Sequence, residues 1–412
     1  MRSYAMLRQL PEIHGETSRR EMPAEAFEPA APLKALCRRQ EDFLMRRMGK
    51  LWQGDHLLRG RRPTPDDIQL MSNDYLCIQG EHSLRHAQAR ILQASHADLL
   101  MSSVFAHGDT SMARLERAMA DYMKAEDSII CQSGWSANVG LIQTIADQSI
   151  PVYLDMQAHA SLWEGAHAAG AKTVGFRHND VDHAERQLRK SGAGVIVVDT
   201  VYSVNGSLCP LADFVEVAER TGCLIVVDES HSLGTHGPQG AGLTVALGLQ
   251  DRVHFRTASL AKTFAGRAGL ITGSQAFKEY FRVESRPAIF SSGLLEHEYM
   301  WFSVALDFIR KAEDRRDRLH SLSKQVRSTL IEEGCILADG SEQIIALHAG
   351  SEPQALTLRN GLQKRGIFGA VFCAPATPKN RCVIRFSMNS ALSVTHVDRL
   401  IEACVEVQRA LH

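Results

Sequence analysis

Two short segments constrain the fold of this chain more than any others. "GVIVVDT" (194–200) and "CLIVVDE" (223–229) are apolar residue after residue until an aspartate ends each run. A strand with one wet face alternates polar and apolar side chains. A strand that is apolar throughout must be covered on both faces, as in a parallel sheet wrapped by helices. Between the two runs lies "LADFVEVAERTG" (211–222), which has helical periodicity and a length suited to a crossover. The same alternation extends outward. Strands are expected at "DSIICQ" (127–132), "VYLD" (152–155), "TVGFRH" (173–178) and "VHFRTAS" (253–259), the last of the series. Helices are expected from Trp135, in "HASLWEGAHAAG" (159–170) and from Val181. The expectation is an α/β fold with a mostly parallel sheet.

The flanks read differently. Residues 1 to about 30 are polar and without periodicity, which predicts a flexible arm. "LKALCRRQEDFLMRRMGKLW" (33–52) predicts an amphipathic helix with Arg38, Arg39, Arg46 and Arg47 on a solvated face or against an anionic substrate or second subunit. "SMARLERAMADYMKAE" (111–126) predicts another amphipathic helix. Beyond about 295 one long helix is expected over 298–334. Strands follow at "IIALHAG" (344–350), "FGAVFCA" (368–374) and "RCVIRFSMN" (381–389), with helices at 352–366 and 395–411. The division expected is an N-terminal arm and helix (1–70), a large domain (71–300) and a smaller C-terminal α+β domain (301–412).

Charge excludes some functions. The 412 residues carry 46 basic and 47 acidic side chains, net −1, so no nucleic-acid partner is expected. No apolar run approaches a membrane span and no secretory signal is visible, which predicts a cytoplasmic protein without stable membrane insertion. Nine scattered cysteines, with no CxxC pair, fit free thiols in a reducing compartment better than a disulfide framework or a zinc site; no metal ligand set is read.

In open parallel sheets, ligands gather beyond the carboxyl ends of the strands. Ser133-Gly134-Trp135 follows the first strand and opens a helix, where free amides can hold a phosphate; a turn that needs glycine explains the same residues. His159 precedes a helix, as a ligand or as a cap. Asp199 and Ser203 end one apolar run, and Asp228 and His231 the other. A strand-ending aspartate is costly to bury unless paired. It pairs with a ligand or caps the following loop. "TASLAKTFAGRAG" (257–269) brings Ser259 and a lone lysine, Lys262, among small and apolar neighbours. Amine, carboxylate, phosphate donors and ring-sized neighbours on one sheet edge match the needs of pyridoxal 5′-phosphate (PLP). Its aldehyde takes an amine, its ring nitrogen a carboxylate and its phosphate amides and hydroxyls. No GxGxxG follows the first strands, which disfavours a dinucleotide site.

From "SNDYL" (72–76) to "VIRFSMN" (383–389) the chain resembles the α-oxoamine synthases, fold-type I PLP-dependent transferases that join an amino acid to an acyl-CoA. "SGWSANVG", "HASLWEG", "VVDESHSLGTHGPQGAGL" and "TASLAKTFAGRAG" fall in the family's order and spacing. "NDYLCIQG", "SLWEGA", "PAIFSSGLL" and "FGAVFCAPATPKN" look most like the quorum-sensing α-hydroxyketone autoinducer synthases.

The resemblance implies a seven-stranded sheet and a homodimer with shared active sites. It implies that Lys262 binds the cofactor covalently and acts as base, that Asp228 faces the ring nitrogen, that His231 lies near the ring's phenolic oxygen and that His159 stacks on the ring, with a possible acid role. Gly134, Trp135 and Ser259, with Ser133, would bind the phosphate, and Ser292 would reach the partner's cofactor. Asn73, Ser203 and Arg385 would hold a substrate carboxylate, Arg385 through its planar fork. The implied reaction condenses an acyl-CoA with a small amino acid resembling 2-aminobutyrate, losing carbon dioxide to give an α-aminoketone. The alternatives are a housekeeping member of the 8-amino-7-oxononanoate synthase or 2-amino-3-ketobutyrate ligase type, or a scaffold subunit; scaffold subunits typically lose the lysine.

Two departures stand out. Ser259 replaces the threonine many relatives carry, keeping the hydroxyl. "MSSVFAHGDTSMARLE" (101–116) replaces a glycine-rich segment that shapes the substrate mouth, which argues for a different acyl group. Phe264 and Ala265, where relatives often have glycine, pack the core, tighten the backbone beside the lysine or line the acyl path.

Overall fold

The two apolar runs lie side by side. In a computed structural model, which describes residues 31–94 and 100–410, the strands in chain order are β1 (Ile68–Gln69), β2 (Asp127–Cys131), β3 (Val152–Asp155), β4 (Thr173–Phe176), β5 (Val195–Asp199), β6 (Leu224–Asp228), β7 (Phe255–Ser259), β8 (Gly269–Gly273), β9 (Ile344–Gly350), β10 (Ile367–Phe368), β11 (Ala370–Phe372) and β12 (Cys382–Ser387). β5 and β6 pair in parallel, with Asp199 opposite Asp228. The seven-stranded sheet runs β2-β8-β7-β6-β5-β3-β4. Only β8 is reversed, antiparallel to both its neighbours, so the carboxyl ends of the other six share one edge. Within this sheet, β8 is not among the strands expected from the sequence. A three-stranded antiparallel sheet (β11-β12-β9) and a two-stranded parallel ladder (β1-β10) complete the set.

Burial on both faces explains the unbroken apolar runs. Ile196, Val198, Ile225 and Val227 pack with Leu188, Phe214 and Val217 from helices Val181–Ser191 and Leu211–Thr221. Val195, Val197 and Val226 point the other way, onto Leu141, Ile142 and Leu162 from helices Gly134–Ile145 and Ala160–Ala168. Each such side chain removed from water contributes about 1.5–3 kcal/mol. Tight packing at one contact has a direct consequence for the site. A Cβ built on Gly134 would lie 2.6 Å from the Cβ of Ser259, so glycine lets the helix start press against the end of β7.

The chain divides into two units between Gly54 and Asp55. In the first, the expected helix over 33–52 is helical but changes winding. Ala31–Asp42 is an α-helix and Phe43–Leu51 is π-helical, ending with the Trp52 amide on the Arg47 carbonyl. The wider turns place Phe43 edge-on to Trp52 and the Arg47 guanidinium over its indole. Neither helix buries a residue, and Arg38, Arg39 and Arg46 are exposed. The arm expected for residues 1 to about 30 lies outside the described residues.

The second unit, from Asp55 on, holds all three sheets. It corrects one expectation. The single helix over 298–334 is two helices, Glu296–Arg310 and Glu313–Glu332. The break is stabilised by Arg316, buried at 2% exposure, whose guanidinium donates to the carbonyls of Ile309 and Arg310 at the end of the first helix. Helix ends leave such carbonyls without partners, and a cation there is favourable. The segment expected to be one strand at 368–374 is divided between β10 and β11. All nine cysteines are free thiols, and among the described residues no helix is long and apolar enough to cross a membrane.

Candidate active site

The carboxyl edge of the large sheet gathers the residues picked out by the sequence. Asp228, the last residue of β6, is 4% exposed. Its Oδ1 accepts the Ser230 amide at 2.8 Å and its Oδ2 accepts Asn138 Nδ2 at 2.7 Å. Asn138, on the first helix after β2, also donates to Ser161 Oγ at 2.8 Å. Ser161 in turn meets His159 Nδ1 at 2.7 Å, and its amide donates to the same nitrogen at 3.3 Å. His159 Nδ1 is therefore an acceptor, and the neutral ring carries its proton on Nε2. Burial, against the pull of Asp228, holds the His159 pKa below its ordinary value, with Lys262 lowering it further. His159 and Trp135 meet edge to face at 6.3 Å.

On the other side of Asp228, His231 Nδ1 lies 2.6 Å from the Tyr75 hydroxyl. Both groups are fully buried, and burial drives the His231 pKa well down, helped by Lys262 and Arg385. The Tyr75 hydroxyl reaches Asn73 Oδ1 at 3.3 Å, and that oxygen accepts Arg385 Nη2 at 2.7 Å. Arg385 stands on β12, in the small sheet. Its Nη1 donates to the Ser203 carbonyl at 2.6 Å, its Nη2 also to Ser387 Oγ, and Phe372 lies under the guanidinium at 4.7 Å. An unbroken series of polar contacts thus runs from Tyr75 to Arg385.

Among the described residues, two cations here lack anions. Arg385 is 4% exposed, every acceptor it meets is neutral, and its Nε is buried without a partner. Lys262 is half-buried and, among the described residues, its ammonium makes no hydrogen bond or ion pair. Burial, then Arg385, lower its pKa, while Asp228 opposes them. A buried guanidinium with no counter-charge carries an unpaid desolvation cost, which an incoming carboxylate offsets.

The helix start after β2 is equally well defined. Ser133 caps the helix Gly134–Ile145 by accepting the Ser136 amide at 3.0 Å, which leaves the first amides, those of Gly134 and Trp135, at the positive end of the helix. Ser259 sits against Gly134, and its amide donates to Ser230 Oγ at 2.7 Å. Ser259 Oγ accepts the Ala261 amide at 3.3 Å. A half-buried partnerless amine, a donor-held carboxylate and a helix N-terminus with a hydroxyl beside it fit the aldehyde, the ring nitrogen and the phosphate of PLP.

Placement differs from expectation in detail. Ser203 enters through its main-chain carbonyl. Ser292 stands outside the network, exposed and bridge-paired with Ser102. Phe264 is 1% exposed and packs edge to face with Tyr122, while its carbonyl accepts Trp301 Nε1, so it is core. Ala265 adopts a φ of +50°, a conformation suited to glycine. Asn138, Tyr75 and Ser161 were not singled out, although each lies inside a quoted motif. Asp199, expected as a strand end, also accepts the His159 amide through Oδ1, and burial beside Asp228 pushes its pKa well up.

Fold and site together define a PLP enzyme: the chain belongs to the aminotransferase class I and II family, which it matches over residues 65–404, and PLP is its cofactor. Within that family it is of the α-oxoamine synthase type. It is 43% identical to the CAI-1 autoinducer synthase of Vibrio campbellii over 351 residues, 85% of this chain and 89% of that one. Solved structures share the fold. A serine palmitoyltransferase from S. paucimobilis with PLP bound superposes with a TM-score of 0.83 at 24% identity, covering 90% of this chain and 98% of that one. An 8-amino-7-oxononanoate synthase from Francisella tularensis gives 0.74 at 20% identity, covering 84% and 99%.

Proposed function

We propose that this chain condenses an acyl-CoA with a small amino acid resembling 2-aminobutyrate, with loss of carbon dioxide, to the α-aminoketone precursor of an α-hydroxyketone autoinducer. The observation that carries an amino-acid substrate is Arg385, a buried guanidinium without an anion, beside an amine that is also unpaired. The likeness to the V. campbellii autoinducer synthase supports the product class.

In this reading Lys262 would hold the cofactor through its aldehyde. Gly134, Trp135, Ser133 and Ser259 would hold its phosphate, Asp228 its ring nitrogen, and His159 and His231 would contact its ring and phenolic oxygen. When bound, PLP supplies an electron sink that lets the carbon beside the substrate amine carry negative charge. Arg385, with Asn73 and the Ser203 carbonyl around it, orients the substrate carboxylate until it leaves as carbon dioxide. The freed Lys262 amine takes the α-proton; its lowered pKa keeps more of it unprotonated near neutrality. The α-carbon bonds to the acyl carbonyl carbon as CoA leaves as its thiolate; the carboxylate then departs as carbon dioxide, and a proton takes its place on the α-carbon. Buried His159 and His231 stay neutral and act as hydrogen-bonding groups.

The reading includes a homodimer in the cytoplasm, where acyl-CoA is available. Phe290, Leu100, Met101 and Phe105 are exposed around the Ser102–Ser292 bridge, an apolar face suited to a second copy that would bring Ser292 to the partner's cofactor. The 1–70, 71–300 and 301–412 division belongs to the same proposal.

The test pairs acyl-CoAs of several lengths with glycine, alanine, serine and 2-aminobutyrate and identifies products by mass. A long acyl chain with 2-aminobutyrate is expected to win. Preference for glycine with acetyl- or succinyl-CoA would overturn the reading in favour of a housekeeping activity.

A further inference from the structure

Three residues far apart in sequence converge just beyond the loop that follows Asp228. His236 lies at the end of that loop, His320 on helix Glu313–Glu332 and Glu342 two residues before β9. One ligand atom from each lies within 4.8 Å of the others. His236 Nε2 is 2.8 Å from Glu342 Oε2, and the two imidazoles meet edge to face at 4.9 Å. The side chains of His236 and Glu342 are only 10% and 15% exposed.

Hydrogen bonds settle which nitrogens are available. His320 Nε2 lies 2.7 Å from the Thr235 carbonyl, which can only accept, so that nitrogen is protonated and the lone pair of neutral His320 is on Nδ1. The Thr235 hydroxyl donates to the His231 or Ser232 carbonyl, each at 3.1 Å. Its single proton is then spent, so at 2.9 Å it accepts from His236 Nδ1–H. Neutral His236 therefore aims the lone pair of Nε2 at a carboxylate oxygen. At 2.8 Å the two atoms share a proton; a four-coordinate metal ion taking the proton's place would spread them to about 3.3 Å. The outer nitrogens of both histidines are anchored on one residue, Thr235. That is the arrangement by which proteins orient metal-binding imidazoles.

We propose that His236 Nε2, His320 Nδ1 and Glu342 bind a divalent transition-metal ion of the Zn2+ type, with a water completing a four-coordinate site. Two imidazoles and one carboxylate suit that class better than Mg2+ or Ca2+, which take oxygen ligands. The ion clamps three segments that frame the active site. The Asp228–His236 loop carries His231, Gln343 beside Glu342 donates to the His231 carbonyl at 2.6 Å, and β9 pairs with β12, the strand of Arg385. The role is a structural one, holding the cofactor edge against the small sheet. It does not depend on the proposed substrates.

The test uses the full-length, PLP-loaded protein with any tag removed, stripped with chelator and then equilibrated with zinc chloride alone. Elemental analysis should find one zinc per chain in the wild type and a loss to background in His320→Ala and Glu342→Gln. Zinc should raise the thermal midpoint of the wild type and leave that of His320→Ala unchanged. His320→Ala keeps the His236–Glu342 contact, so it separates a metal site from a protonated ion pair. Equal zinc content in wild type and both variants, or none in the wild type, overturns the proposal. Loading the wild type with Co2+ gives a readout that needs no variant. Visible bands of four-coordinate intensity without a thiolate charge-transfer band support the site; a thiolate band or weak six-coordinate bands refute it.

Discussion

Asn138→Ala tests whether the carboxylate at the centre of the site is held as described. Asn138 is 2% exposed, and its amide nitrogen donates to Asp228 Oδ2 at 2.7 Å and to Ser161 Oγ at 2.8 Å. A hydrogen bond to a charged group is worth about 1.5–3 kcal/mol, and one between neutral groups about 0.5–1.5 kcal/mol. Losing both should lower the unfolding free energy of the cofactor-free protein by about 2–4 kcal/mol, read from urea titration by circular dichroism. The same variant should bind PLP at least about tenfold more weakly, which corresponds to about 1.4 kcal/mol, because Asp228 loses a donor that fixes its orientation. Asn138→Asp sharpens the test. It sets a second carboxyl within hydrogen-bond distance of Asp228, and two such groups share one proton. Its stability should fall as pH rises through that shared proton's pKa, a trend absent from Asn138→Ala. Refutation is simple: Asn138→Ala within about 0.5 kcal/mol of wild type, with unchanged PLP affinity, means that Asp228 is held by other groups.

Other outcomes follow from the same geometry. Lys262→Ala should abolish turnover and the visible absorption of the purified protein; an unchanged rate would remove Lys262 from the reaction. Gly134→Ala should cost about 1–3 kcal/mol by overpacking and weaken PLP binding, seen as a lower thermal midpoint and a cofactor titration displaced to higher concentration, since its Cβ would press on Ser259 at 2.6 Å. The two buried histidines set a pH dependence. His159 and His231 have folded pKa values below their unfolded value of about 6.5. The unfolded chain therefore binds more protons between the folded values and about 6.5, and stability falls as pH drops through that window by up to about 1.4 kcal/mol per unit per histidine. Urea midpoints of the cofactor-free protein at pH 7.5 and 5.5 that coincide would show that these rings are not held neutral.

Legibility varied with the range of the interaction. Strands such as Val195–Asp199 and Leu224–Asp228 announced themselves, because burial on both faces requires apolar residues at every position. The strand ends then placed Asp228, His159 and Lys262 on one edge through topology alone. β8 escaped because "GLITG" is short and begins and ends with glycine, which the period-two signal does not reward. The helix break at Lys311–Ala312 escaped because no glycine or proline marks it; the cap is the Arg316 side chain folded back onto the carbonyls of Ile309 and Arg310. Asn138 and Tyr75 were invisible as site residues for a related reason. Each acts by touching a residue about ninety or more positions away, Asp228 and His231. Glu342 and His320 join His236 only through the packing of a helix and a small sheet.

The reversed strand β8 sets the order in which the nascent chain can complete its sheet. Among the described residues β2 is an edge strand paired with β8 alone, with Ile129 opposite Ile271. Everything from β3 to β7 is synthesised between the two, so the first strand of the sheet to leave the ribosome waits longest for its partner. At ordinary translation rates the wait is on the order of ten seconds, during which "SIIC" presents an unpaired apolar edge. Crowded, overexpressing cells should punish that interval, and slower elongation after residue 131 or a cooler culture should change the yield of soluble protein more than its final stability.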